Sequence, residues 1–229
     1  MAVLLSGEFL TKLYDNLIFG GRMWMLLRGL VTTLQISLGA VVLGVFIGLL
    51  MSFFKLSGVK PLRYAADVYI DVIRGTPAVT QLLIINFTVF AAVRGAGVWV
   101  GIVAMGINSG AYIAEIIRAG ILSIDVGQTE AGRSLGFNRF ETLRYIVMPQ
   151  AIKNILPALA NEFIVLIKET AIVGYIAVED LTKVGQIIVS RTLNTIPLFA
   201  TAILYFVIIK ILTHFFRMLE KKLRASDAR

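Results

Sequence analysis

Residues 29–54, GLVTTLQISLGAVVLGVFIGLLMSFF, carry no charged side chain over a length that decides the fold class. A bilayer core about 30 Å thick is crossed by roughly 20 helical residues, each rising about 1.5 Å. Backbone groups in lipid must find hydrogen-bond partners within their own segment, which favours a helix. This stretch therefore predicts a membrane-spanning helix.

The rest of the chain has the same character, because 58% of its 229 residues are apolar and its mean hydropathy is +0.84. A soluble domain of this length normally has a smaller apolar fraction and a lower mean hydropathy. Charge-free stretches at 75–93, 95–114 and 192–209 approach spanning length, and residues 155–178 form a further candidate despite three charges. We predict an all-α polytopic membrane bundle of about five transmembrane helices. We expect an interfacial lead-in at 1–25, a transmembrane domain at 26–218 that contains a coupling loop at about 123–145, and a cytoplasmic tail at 219–229.

The basic residues are distributed unevenly between the connecting loops, and this predicts the orientation. The positive-inside rule places the N-terminus outside and the C-terminus in the cytoplasm. The net charge of +8 and pI of 9.9 follow from this topology and do not require a nucleic-acid partner. The predicted cytoplasmic side carries Lys55, Lys60, Arg63, Arg118, Arg133, Arg139, Arg144, Lys153, Arg217, Lys221, Lys222, Arg224 and Arg229, and the outer side carries Lys12, Arg22, Arg94, Lys183 and Arg191.

A polar segment at 130–149, EAGRSLGFNRFETLRYIVMP, interrupts the apolar stretches. Residues 128–135 predict a short cytoplasmic helix that Gly136 ends in the left-handed conformation. Glu130 is expected in its first turn, where a carboxylate favours the helix dipole. Gly132 costs up to about 1 kcal/mol in a helix, which is tolerable if a partner surface approaches closely there. The alternative is a solvated connector without a partner.

A second interruption lies at 69–82, YIDVIRGTPAVTQL, where Pro77 removes a donor and frees the carbonyl of Ile73. We expect the helix to break or bend there. Broken helices at membrane depth occur where they line a cavity or a protein interface, although Pro77 in the first turn of a new helix is an equal alternative. Asp71 and Arg74 are expected to pair at their i,i+3 spacing. The pathway or helix-break elements predicted here are Arg74, Gly75, Thr76 and Pro77.

Several polar motifs follow one another along the chain: RGTP at 74–77 with QL at 81–82, AYIAEIIR at 111–118, QTEA at 128–131, PQA at 149–151, NEFI at 161–164 and KET at 168–170. In this order they resemble the polar amino-acid permeases of ATP-binding-cassette importers. The loop segment at 130–149 also resembles the cytoplasmic loop of these importers. Two positions depart from that loop pattern, since Gly132 replaces a second alanine and Met148 replaces a leucine. The resemblance covers most of the chain from Leu30 to the fifth predicted span.

The resemblance implies a permease subunit in the plasma or inner membrane of a prokaryote. Two such subunits, identical or homologous, would form the pathway, with two ATP-binding cassette subunits beneath them and an extracytoplasmic binding protein that delivers an amino acid. No GxxxxGK[ST] loop occurs, so ATP and magnesium are expected in the partner subunits and no cofactor in this chain. The residues expected to couple to the ATPase are Glu130, Ala131, Gly132, Ser134, Leu135 and Gly136.

Glu162 is the strongest candidate for a substrate ligand, because an ionisable residue near the bilayer centre costs about 2.5–3.5 kcal/mol on insertion scales and usually serves function or is paired. We expect Asn161 and Asn86 to join it, with Pro157 loosening the helix one turn earlier by freeing the Lys153 carbonyl. A carboxylate in a dry pocket favours a cation. This predicts arginine, lysine or histidine as substrate, with glutamine or another polar amino acid as the alternative. A structural ion pair of Glu162 remains open.

Functions of other classes have less support in the sequence. The chain has no cysteine and a single histidine, His214, so neither a thiol site nor a catalytic triad is expected and no metal site is predicted. An ion-coupled secondary transporter would usually show two related halves, and no internal repeat is evident. A channel would need no nucleotide. ATP-dependent uptake separates these alternatives from an importer.

Overall fold

The computed structural model describes residues 11, 14–93 and 95–225, and within these ranges the chain is helical, without strands. Most of the predicted tail lies inside the described part, whereas much of the predicted lead-in and Arg94 lie outside it. The predicted all-α class is confirmed. The helices are α1 (Arg22–Leu56), α2 (Lys60–Arg74), α3 (Ala78–Ile84), α4 (Gly97–Leu122), α5 (Val126–Ser134), α6 (Arg139–Thr142), α7 (Met148–Glu169), α8 (Leu181–Thr192) and α9 (Ile196–Ala225). Short π or 3-10 turns cover Tyr14–Ile18, Phe19–Gly21, Ile85–Val89, Leu143–Val147 and Thr170–Ile176.

Three described helical segments are long and apolar enough to cross a membrane: Phe19–Leu56, Gly97–Leu122 and Ile196–Lys222. A fourth crossing is available if the bent pair Lys60–Arg74 and Ala78–Val89 counts as one span. The helix α7 is not among these segments, and it carries Glu162, Lys168 and Glu169. The chain is a polytopic helical membrane protein, and the count of about five spans stays a prediction.

Two of the charge-free stretches are shorter than the helices that contain them, because each helix continues through a charged residue. The stretch 95–114 belongs to α4, which runs on past Glu115 and Arg118 to Leu122. Both of these charges are ion-paired, so the helix can contain them at low cost. The stretch 192–209 is likewise followed by Lys210, which lies inside α9.

The core is built around α4, which packs against α1, α2, α3 and α7. The most extensive packing is against α1, where a Cβ placed on Gly48 would lie 2.5 Å from Cγ2 of Ile113. A larger residue than glycine would force these two helices apart. Buried apolar side chains from both helices, among them Ile36, Ala40 and Met105, form one continuous cluster. Polar residues on α4 can therefore reach each of the neighbouring helices.

Candidate functional site

The predicted helix break is present, because α2 and the segment Ala78–Val89 meet at an angle of 105°. Pro77 is the extended residue directly before α3, so the break and the start of a new helix coincide. The Ile73 carbonyl, which Pro77 leaves without its helical donor, accepts a hydrogen bond of 2.7 Å from Nε2 of Gln81. The same amide nitrogen donates to Oγ1 of Thr76 at 2.8 Å. Gln81 thus satisfies the polar groups that the break exposes.

Gln81 is itself held by Asn108 of α4, whose Nδ2 donates to Oε1 of Gln81 at 2.9 Å. Both side chains are buried. Asn108 was not among the predicted site residues, and its only signal in the sequence is that it is an amide inside the apolar stretch 95–114. We call Ile73, Thr76, Gln81 and Asn108 the corner clamp. It ties the broken helix to the central helix of the fold.

Arg74 does not pair with Asp71, so this prediction is wrong. The Arg74 guanidinium lies over the Tyr112 ring, with its Cζ 5.4 Å from the ring centroid. Neither Arg74 nor Asp71 belongs to an ion pair among the described residues. Asp71 contributes its backbone instead, since its carbonyl accepts from Gly75 N at 2.8 Å. A cation over an aromatic face competes with an exposed i,i+3 pair, which is worth only a few tenths of a kcal/mol. Arg74, Gly75, Thr76 and Pro77 are all exposed at the corner.

Glu162 lies half-buried on α7 and accepts a hydrogen bond of 2.8 Å from Oγ of Ser109, which is fully buried on α4. Within the described part of the chain, no basic side chain forms an ion pair with Glu162. Its described hydrogen bond is to a neutral hydroxyl. A carboxylate in this setting retains free acceptor capacity for a cationic donor.

Two other predicted substrate residues lie at separate positions. Asn161 is exposed on α7 beside Glu162, whereas the half-buried Asn86 lines a cavity of about 490 Å³ with Thr32, Gly97 and Glu179. Neither Asn161 nor Glu162 lines that cavity. The structure therefore does not place Asn86 and Glu162 in one pocket. Pro157 lies inside α7, which continues through it as an α-helix.

A second carboxylate, Glu115 on α4, has a very different environment. Its Oε1 is 2.7 Å from Nζ of Lys55, and its Oε2 is 2.9 Å from Nη2 of Arg118. Lys55 also reaches Oδ1 of Asp67 on α2 at 3.1 Å. This cluster of two acids and two bases joins α1, α2 and α4 and is electrically balanced. It is a structural ion-pair network.

The predicted loop helix is present as α5, and both of its ends are capped. The Asp125 carboxylate accepts from Gly127 N at 2.6 Å at the start. Gly136 has a φ of +90°, and the N–H of Phe137 donates to the Gly132 carbonyl at 3.2 Å, which is a Schellman ending. The left-handed role predicted for Gly136 is confirmed. Glu130 was expected in the first turn, but α5 begins at Val126 and places it in the second.

The close approach at Gly132 comes from this chain. A Cβ on Gly132 would lie 2.6 Å from Cδ1 of Ile146 and 3.0 Å from Cγ2 of Thr142, and the residue is buried. This contact inside the chain explains the glycine without the partner surface invoked from the sequence. The remaining predicted coupling residues Glu130, Ala131, Ser134, Leu135 and Gly136 are exposed, and Leu135 is 75% exposed. Two further apolar side chains, Val126 and Phe140, are also exposed at this loop.

Asp180, which precedes α8 and was not predicted, is a fully buried carboxylate. Oδ1 accepts from Lys183 N at 2.9 Å, and Oδ2 accepts from Thr182 N at 3.1 Å and from the Tyr205 hydroxyl at 3.3 Å. Burial raises the pKa of the Asp180 carboxyl, and these hydrogen bonds oppose the rise only in part. Within the described residues, no group of three or more His, Cys, Asp or Glu side chains could hold a metal ion.

Comparison with known proteins agrees with this arrangement. Residues 26–225 match the family described as binding-protein-dependent transport system inner membrane component. This chain belongs to that family. A glutamine transport system permease protein of Escherichia coli is 39% identical, with 87% of this chain and 93% of that protein covered. An arginine transport system permease protein of Bacillus subtilis is 38% identical, with 88% and 94% covered.

A solved structure also resembles the chain closely. It is a crystal structure of an amino acid ABC transporter with histidines, 44% identical, with a TM-score of 0.83 and coverage of 87% of this chain and 94% of that chain. The family accounts for a membrane bundle that carries an exposed loop helix. The proteins that share it include both glutamine and arginine permeases, so the names of the relatives leave the substrate of this chain open.

Proposed function

We propose that this chain is the permease subunit of an ATP-driven amino-acid importer in a prokaryotic inner membrane, and that cationic amino acids are its substrates. The observation that carries the proposal is the carboxylate of Glu162. It is half-buried, accepts from the neutral Ser109 hydroxyl, and is without an ion pair inside the described chain. A positively charged group from outside the chain would complete its hydrogen bonding.

The contrast with Glu115 supports this assignment. Glu115 is neutralised by Lys55 and Arg118, as a structural carboxylate in a membrane helix is expected to be. Glu162 lacks such a neutralising pair. The guanidinium of arginine, the ammonium of lysine or the imidazolium of histidine would supply a charge-assisted hydrogen bond worth about 1.5–3 kcal/mol.

The proposed energy input comes from partner subunits that contact α5. Leu135, Val126 and Phe140 expose apolar surface next to the exposed Glu130, which suits docking to a soluble protein. We infer two ATP-binding cassette subunits, a second permease and an extracytoplasmic binding protein, with ATP and magnesium held by the cassette subunits. Reversing a conformational equilibrium from 1:99 to 99:1 takes about 5.5 kcal/mol, which nucleotide and docked binding protein would supply together.

The test is uptake by the whole transporter reconstituted in vesicles with its ATPase subunits and binding protein. Glu162→Gln removes the charge at nearly constant shape. The loss of about 1.5–3 kcal/mol is expected to raise the KM for arginine by about 10-fold to 150-fold. Glu169→Gln is the control for charge removal on the same helix, because Glu169 is exposed and acts on Glu162 only by an electrostatic repulsion weaker than the effects of burial and of Ser109. It is expected to change the KM much less than Glu162→Gln does.

The pattern across substrates separates the alternatives. A selective loss of arginine, lysine and histidine uptake supports recognition of a cationic side chain, whereas an equal loss for glutamine means that Glu162 binds the α-ammonium common to all amino acids. Unchanged kinetics for every amino acid would remove Glu162 from the site. Uptake driven by an ion gradient without ATP would favour the secondary transporter over the importer.

A further inference from the structure

Four basic side chains lie on one exposed face of α9, in the half of the helix that ends at Ala225. They are Lys210, His214, Arg217 and Lys221, and all four are exposed. Their spacings of four, three and four residues place them on a single helical stripe. We call these four residues the basic stripe.

The same face is apolar towards the start of α9. Phe199, Ile203 and Phe206 continue the stripe at the same spacing and are 68%, 62% and 62% exposed. They belong to the span Ile196–Lys222, whose apolar window of 18 residues is only 11% buried inside the protein. An apolar helical face left open in a membrane protein suits lipid tails. The basic stripe therefore follows directly where the lipid-facing apolar surface ends.

The position of Lys210 along the helix is unusual for a lysine. It lies 14 residues after Ile196, or about 21 Å at about 1.5 Å per residue. If a bilayer core about 30 Å thick is taken to begin at Ile196, Lys210 lies about 9 Å before its far side. Arg217 lies about 10 Å further along, at the level of the lipid headgroups. A lysine at this depth is tolerated when its long stem lets the ammonium reach polar groups at the interface.

No partner inside the described chain neutralises the stripe. None of its members is in an ion pair with a described acidic residue. The Lys210 ammonium lies 5.5 Å from the centroid of the Phe206 ring, which provides a weak contact and no countercharge. Two lysines, an arginine and a histidine on one lipid-facing stripe call for an anionic partner at headgroup depth.

We propose that the basic stripe binds the phosphate headgroup of an anionic phospholipid, with the acyl chains packed along Phe199, Ile203 and Phe206. Lys210 and Arg217, two turns apart, bracket the phosphate, and Lys221 faces the headgroup surface. The site holds lipid independently of which amino acid the protein transports.

The purified transporter complex in detergent is titrated with short-chain phosphatidylglycerol or with short-chain phosphatidylcholine, and bound lipid is counted by native mass spectrometry. Phosphatidylglycerol is expected to bind more tightly. Each basic residue near an anionic lipid surface contributes a factor of about five, so Lys210→Gln with Arg217→Gln is expected to weaken phosphatidylglycerol binding about 25-fold. Lys210→Arg keeps the charge and is expected to retain binding.

The matched control uses the adjacent lysines, since Lys222 is exposed on α9 but lies off the stripe. Lys221→Gln is expected to lower phosphatidylglycerol affinity about fivefold, and Lys222→Gln is expected to leave it unchanged. An equal loss of phosphatidylglycerol affinity in both variants would mean that only net charge matters, and the proposed site would be wrong. Equal affinity for the two lipids, or competition by inorganic phosphate alone, would also overturn it. If the variants release the ATPase subunits instead, the stripe is a protein contact and the lipid proposal is wrong.

Discussion

Replacing Gln81 with leucine tests whether the corner clamp holds the broken helix. Leucine cannot make the three shortest hydrogen bonds of this side chain, which are to the Ile73 carbonyl at 2.7 Å, to Thr76 Oγ1 at 2.8 Å and from Asn108 Nδ2 at 2.9 Å. Leucine is close in size, so the change removes polar partners and leaves packing nearly intact.

The magnitude follows from the groups left without partners. The Ile73 carbonyl cannot use a backbone donor because Pro77 has none, and the Asn108 amide is buried with 5% exposure. Orphaning a buried polar group costs about 1–3 kcal/mol, which gives about 2–6 kcal/mol for these two. Hydrogen bonds between membrane helices average about 0.6 kcal/mol and reach about 1.7, which gives about 2–5 kcal/mol for three. Both estimates give a loss of about 2–5 kcal/mol in the free energy of unfolding.

The assay is thermal unfolding of the purified complex in detergent. At about 2–4 °C per kcal/mol for a chain of this length, Gln81→Leu is expected to lower the apparent Tm by about 4–20 °C. Gln35→Leu is the control, because Gln35 is an exposed amide on α1, and such a surface change alters stability by about 0.5 kcal/mol or less. The double variant Gln81→Leu with Asn108→Leu is expected to lose less than the sum of the single variants, since the orphaned amide is gone. The reasoning is refuted if Gln81→Leu is as stable as Gln35→Leu.

Two further predictions concern α5 and Asp180. Gly132→Ala is expected to destabilise the loop by about 1–3 kcal/mol through overpacking, because the new Cβ would lie 2.6 Å from Cδ1 of Ile146. Adding Ile146→Val removes that Cδ1 and is expected to restore the stability of the loop. Failure of this rescue in a thermal unfolding assay would point back to a partner surface at Gly132. The folded-state pKa of Asp180 lies above its unfolded value of about 3.9, so its contribution to stability is full below that pH and is lost as the pH rises through the folded-state pKa. An asparagine at this position caps α8 about as well as aspartate and does not titrate. The apparent Tm of the wild type is therefore expected to fall relative to that of Asp180→Asn as the pH rises from about 4 towards neutrality. If the two proteins show the same dependence of Tm on pH, this prediction is wrong.

The membrane class was predictable because lipid imposes one demand, an uncharged helix, that composition alone reveals. The helix ends were less predictable, since a charge-free window stops at every charge. Glu115 lies inside α4 because Lys55, 60 positions earlier, neutralises it. Sequence spacing carries no information on such a pair. A charged residue inside a span therefore indicates a position where a tertiary contact, and not hydropathy, decides whether the helix continues.

In the candidate site, too, features that depend on one residue were predictable and features that depend on tertiary contacts were not. Pro77 predicted the break from local chemistry, because a missing donor is a property of the residue itself. The bend of 105° and its clamp depend on Asn108, which only the fold brings to Gln81. The Asp71–Arg74 pair failed because Tyr112 offered Arg74 a competing contact. Local rules held where one residue acted alone and failed where a distant residue could compete.

Glu115 on α4 and Glu162 on α7 differ in whether a basic side chain of the described chain pairs with the carboxylate. A charged residue near the bilayer centre costs about 2.5–3.5 kcal/mol on insertion scales, and a chain offsets this cost by pairing. Glu115 has two cations within 3 Å, so its cost is offset inside the fold. Among the described residues, Glu162 has the hydrogen bond from Ser109 and no ion pair. This leaves room for a cation from outside the chain, and that is the role we propose for a transported cationic amino acid.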